Sequence, residues 1–144
     1  MKLPCRITRN QDGVAAIEMA FALPVLIVMI WMFVQLAEVY RAVAGIQQGL
    51  GEGARLATLC LNPNVTTGCD IPPPDQILAK INSAVYGIGP GSFTPTVSTL
   101  QTDATFGGSY YDLSVTYTQH TSLLFVPGPD ISVSRSKRVW VATA

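Results

Sequence analysis

The longest hydrophobic block of the chain is VAAIEMAFALPVLIVMIWMFVQLA, from Val14 to Ala37. Glu18 is its one charge, and Pro24 and Gln35 are its other interruptions. A bilayer core takes about 20 apolar residues as helix, so the block predicts a transmembrane helix over 14–37. Beyond it the pattern turns periodic. Val39, Val43, Ile46, Leu50, Ala54 and Ala57 recur every three or four residues, one stripe of an amphipathic stem helix over 38–59. Gly45, Gly49 and Gly53, with Ala57, form a second row at spacing four. Small residues so spaced let helix backbones approach closely. Each glycine costs about 1 kcal/mol of helix propensity. Either tight packing in a filament tip or against a partner offsets that cost, or the helix frays at 49–53 and the row is accidental. A continuous helix over 14–59 would be about 69 Å long, holding a head well clear of the membrane.

Pro72-Pro73-Pro74 separates the stem from a head over 72–144. Asp75 to Tyr86 reads as a short helix with Ile77, Leu78, Ile81 and Val85 on one face and Gly87 as its stop. Its expected role is to cover a sheet. Phe93 to Gln101 is rich in threonine and valine and reads as β, with a loop over 102–108. Tyr111, Leu113, Val115 and Tyr117 alternate with Asp112, Ser114, Thr116 and Thr118, the pattern of a half-buried strand. Leu123-Leu124-Phe125-Val126 leads into Pro127-Gly128-Pro129-Asp130, a turn signal, and Ile131 to Val141 is a last strand. The expected class is α+β: a long N-terminal transmembrane and stem helix, a short helix and a small antiparallel sheet. About 75 residues make a marginal core, so docking on the stem is expected to stabilise the head.

Composition agrees with a membrane segment. Charged residues make up 12% of the chain, about half the usual quarter. Apolar residues make up 49%, which argues against a disordered chain. Nine basic and nine acidic residues cancel, leaving no electrostatic footprint for nucleic acid. Lys2, Arg6 and Arg9 precede the block, opposed by Asp12, whereas Glu38 and Arg41 beyond it cancel. The positive-inside rule then places the N-terminus in the cytoplasm and the C-terminal region outside. Trp31 and Tyr40 lie toward the far end of the block, where amphipathic rings favour the interface. A cleaved signal peptide ending at Ala42-Val43-Ala44 fits poorly, because the block is long and holds a glutamate. A plain single-pass anchor carrying a periplasmic binding domain explains the length but not Glu18.

A carboxylate within a membrane helix costs about 2.5–3.5 kcal/mol or more, so it usually marks function and has a partner. Glu18 lies five residues past Gly13, where the polar leader meets the block. This arrangement resembles a type IV prepilin. In that family a membrane aspartyl peptidase cuts after such a glycine, and glutamate stands fifth in the mature chain. The resemblance implies a leader over 1–13, cleavage between Gly13 and Val14, and Glu18 in the fifth position. Pairing of Glu18 with the new ammonium at Val14 of a neighbouring subunit, or with its own terminus, would cancel two charges that hydrocarbon penalises. More narrowly, Gly13-Val14-Ala15-Ala16-Ile17-Glu18-Met19-Ala20-Phe21-Ala22-Leu23-Pro24 is similar to the start of TadE/TadG-like minor pilins, or pseudopilins, of tight-adherence (Flp-type) pilus systems. That likeness covers about 25 residues of the chain; by judgement, the length beyond the membrane favours a minor pilin over a shaft subunit. It implies a bacterial inner-membrane, single-pass protein with a pilin-like fold, active in pilus assembly and adhesion. It also implies partners: a prepilin peptidase, an assembly ATPase with its membrane platform, a secretin, other pilins and the lipid bilayer.

Of three cysteines, Cys5 falls in the leader, while Cys60 and Cys69 flank a turn-rich stretch within 60–71. In an oxidising compartment Cys60 and Cys69 are expected to close a disulfide loop. One histidine, His120, cannot complete a zinc site with two cysteines and offers no Ser-His-Asp or Cys-His arrangement. His120 reads as a hydrated strand end. Arg135, Lys137 and Arg138 form a basic cluster, which reads as a solvated strand edge or as a contact for an anionic partner. No phosphate loop, dinucleotide fingerprint or hydrolase elbow is present. The sequence therefore predicts no cofactor, no metal and no enzyme.

Overall fold

The computed structural model describes residues 12–59, 63–64, 68–105, 107–122, 124 and 126–141. A single helix, α1, runs from Asp12 to Ala57 over 46 residues, with Pro24 inside it. It continues through Gly49, Gly51 and Gly53 without fraying. A two-stranded ribbon follows, β1 (Pro63–Asn64) antiparallel to β2 (Gly68–Cys69). The expected Cys60–Cys69 bridge lies outside the described residues. α2 runs from Pro74 to Val85, with proline at its first turn and Gly87 beyond its end at φ +76°. Proline is preorganised for a helix start, and glycine adopts the left-handed turn that ends one.

The rest is an antiparallel sheet: β3 (Ser92–Val97), β4 (Gln101–Thr102), β5 (Ser109–Ser122) and β6 (Pro127–Val141). β5 is the central strand. It pairs with β6 along one edge and with β3, then β4, along the other. Its inward residues are the alternating set Tyr111, Leu113, Val115 and Tyr117, all buried. They face Ala42, Ile46, Leu50 and Ala54 of α1 and Ile77 and Ile81 of α2, so one core joins the far half of α1 to the head. The Tyr111 hydroxyl donates to Pro72 O at 3.3 Å. The Tyr117 hydroxyl accepts from Gly91 N–H at 3.1 Å and donates to Gln119 Oε1 at 2.8 Å. Burial raises the pKa of both tyrosines; for Tyr117 the Gly91 N–H opposes this and the charge of Glu38 adds to it.

The glycine row of α1 meets α2 of the same chain. A Cβ built at Gly53 would stand 2.5 Å from Ile81 Cγ1, at Gly49 2.8 Å from Val85 Cγ1, and at Gly45 2.7 Å from Ile88 Cδ1. The row therefore lets an isoleucine- and valine-faced helix sit directly on the α1 backbone, which offsets the lost propensity.

Two expectations need correction. Pro127-Gly128-Pro129-Asp130 is not the turn but the start of β6, and the hairpin reverses one step earlier, between Ser122 and Pro127. Proline is tolerated there because β6 is an edge strand, whose outward N–H positions have no ladder partner to lose. Nor does the head stand clear of the apolar half of α1. β5 and β6 run back along the helix, and Leu124 in their connection lines a groove with Ala20, Leu23, Pro24, Ile27 and Val28.

Candidate functional site

Residues 13–37 of α1 are exposed almost throughout, Phe21 to 75%, although nearly all are apolar. The helix is long and apolar enough to cross a membrane. Gly13 and Val14 lie in its first turn, and among the described residues no packed neighbour comes within 4 Å of a Cβ built at Gly13. Glu18 is exposed one turn further on. Positions i and i+4 share a helix face, so Val14 and Glu18 project from the same side. A charged group at either position is open to a neighbouring chain.

A second feature of this half escaped the sequence reading. Trp31 Nε1–H donates to Ser122 O at 2.9 Å. The Gln35 amide also donates to Ser122 O, and it accepts from Ser122 N–H at 3.2 Å. Two side chains of the apolar block thus hold both backbone polar groups of the last β5 residue. Gln35 was visible as a polar interruption and Trp31 as an interfacial ring, but their partner lies about 90 residues away in sequence. Below this clamp, a groove of about 430 Å³ opens between helix and hairpin, lined by Met29, Met32, Phe33, Thr121, Pro129 and Ile131 among others.

The basic cluster divides between the two faces of the sheet. Strand alternation puts Arg138 opposite Asp112 on the outer face, with Nε–Oδ1 at 2.9 Å and Nη2–Oδ2 at 3.1 Å. Its guanidinium also lies 4.1 Å from the centre of the Tyr110 ring. The hydrogen bonds from Arg138 hold the Asp112 carboxyl below its usual range, and the same bonds raise the pKa of Arg138. Arg135 and Lys137 stand opposite Val115 and Leu113, on the inward side of β6 but exposed. Alternation, invisible in a composition of charges, is what separates them. His120 is exposed near the end of β5 and pairs with Asp130 across the hairpin. Among the described residues, no group of three His, Cys, Asp or Glu side chains is placed to hold a metal. Comparison with protein-family models, curated proteins and solved structures found no match to this chain.

Proposed function

We propose that the protein is a TadE-like minor pilin or pseudopilin that takes part in assembling a tight-adherence pilus. Its apolar helix is inserted in the bacterial inner membrane, its leader is removed after Gly13, and the processed chain joins or primes a filament that serves adhesion. One observation carries the reading: an exposed carboxylate, Glu18, stands one turn past Val14 at the start of a long apolar helix, and no ion pair among the described residues includes it. Cleavage would create an ammonium at Val14, and pairing with Glu18 of the same or a neighbouring subunit favours one register over others. The work is then assembly, performed with a prepilin peptidase, an assembly ATPase and platform, a secretin and other pilins.

The N-terminus of the mature protein, taken from host membranes by intact mass and terminal sequencing, tests the processing step. A start at Val14 is expected, whereas a start at Met1 would leave a plain anchor and a start at Gly45 a secreted domain. Glu18→Ala tests the assembly step. At normal protein levels it should abolish piliation and adhesion, and unchanged piliation would overturn the reading.

A further inference from the structure

We infer that Leu124 and Val126, in the connection from β5 to β6, form a second membrane-immersed contact, seated among the lipid acyl chains of the leaflet nearer the head. The inference rests on α1 spanning the bilayer, as proposed above. Leu124 lines one groove with Ala20, Leu23, Pro24, Ile27 and Val28, well inside the apolar block. About 16 Å of helix separates Gln35 from Pro24. A span that places these helix residues in hydrocarbon therefore places Leu124 there too. Leu124 and Val126 are both exposed, so their remaining surface faces what surrounds α1.

The strand ends that carry this connection hold backbone polar groups on internal partners, as a medium without water demands. Ser122 has its N–H and its carbonyl both held by Gln35, with Trp31 as a second donor to the carbonyl. Pro127 and Pro129 have no N–H to satisfy. The Thr121 hydroxyl donates to Pro129 O at 2.6 Å. A register shift between His120 and Ser122 marks the bulge that frees Thr121 for this bond. Gly128 permits the approach, since a Cβ there would stand 2.5 Å from Thr121 Oγ1. A loop in water needs none of these arrangements. The groove between Met32, Phe33 and Ile131 is apolar on both walls and suits an acyl chain.

The test is photocrosslinking of the full chain in phosphatidylethanolamine–phosphatidylglycerol vesicles, with a benzophenone amino acid at position 124, 26 or 86. Each variant is first shown to melt like the parent; if the probe at 124 disturbs the fold, position 126 replaces it. The expected result is a mass increase of one phospholipid at 26 and at 124, and none at Tyr86, which is 90% exposed on the head. Lipid adducts at 26 without any at 124 overturn the inference and leave the spanning helix intact. Crosslinks from 124 to a second copy of the chain, in place of lipid, overturn it in favour of a subunit contact. Absence of lipid at 26 overturns the spanning helix itself. Gln35→Ala should lower the adduct yield at 124 several-fold and leave position 26 unchanged; an unchanged yield at 124 would remove the clamp from the account.

Discussion

The two halves of α1 are one continuous helix with two different surfaces. Residues 14–36 are apolar apart from Glu18 and Gln35 and are exposed on nearly every side. From Ala42 to Ala57 the same helix is amphipathic, with Ile46 and Leu50 buried against the sheet, Gly49 and Gly53 buried under α2, and Gly45 buried under Ile88 just past its end. The difference lies in how apolar surface is covered. The first half has no polar face and packs little of its surface on the rest of the chain, which suits a helix long and apolar enough to cross a membrane. The second half divides its faces between a sheet, a helix and water, so each position has one neighbour and little tolerance.

The sharpest way to break this comparison is to place the same charge in each half. Ile46→Asp would bury a carboxylate at a position with no exposed surface. The expected cost is about 4 kcal/mol or more, most of the stability of a small domain. The head should lose its cooperative melt while the chain still fractionates with membranes. Ile30→Asp, on an exposed position, should leave the melt unchanged and weaken insertion by about 3 kcal/mol. If Ile30→Asp unfolded the head, the two halves would not be independent.

Glycine substitutions sharpen the comparison within the second half. Gly53→Leu drives a side chain into Ile81 and should cost about 3 kcal/mol, read as a fall in melting temperature. Gly51→Ala meets nothing within 4 Å and should stabilise by about 1 kcal/mol through helix propensity. Equal effects at 51 and 53 would mean that α2 does not seat on the row.

Tyr117→Phe is expected to cost about 2 kcal/mol, because it leaves Gln119 and the Gly91 N–H without their partner. Its pH dependence has a definite sign. Burial raises the pKa of Tyr117, so its contribution is fully present below about pH 10 and is lost as pH rises through the higher folded value. The phenylalanine variant should therefore lose less stability than the parent between neutral and strongly alkaline solution.

Much of this fold was legible in the sequence because its elements are locally patterned. The period of α1, the apolar face of α2 and the inward alternation from Tyr111 to Tyr117 each follow from residues within one element. What escaped was set by distance in the chain. The partner of the glycine row could not be read until α2 was placed, since spacing four invites any close helix. The clamp of Trp31 and Gln35 on Ser122 depends on two long strands running back along α1. The misplaced turn at 127–130 has the same origin, because proline and glycine signal a reversal locally and only the edge position of β6 makes them strand residues. Of the candidate site, Gly13, Val14 and Glu18 were singled out by their spacing, and the structure adds that Val14 and Glu18 lie exposed on one helix face.

The smallest effect is expected on the outer face of the sheet, which is bathed in water. Asp112 and Arg138 form a two-bonded pair, yet their side chains are 41% and 49% exposed. Solvent screens such pairs, so Asp112→Asn should cost less than about 1 kcal/mol. The hydrogen bonds from Arg138 lower the pKa of Asp112, so the pair's contribution is present above about pH 4 and is lost as pH falls through the lower folded value. Melting temperatures of parent and variant should therefore differ slightly at neutral pH and converge on acidification. High salt should narrow the gap further. A cost at Asp112 as large as that of Gly53→Leu would mean that this face is covered, and the order of sensitivities drawn from lipid, core and water would have to be redrawn.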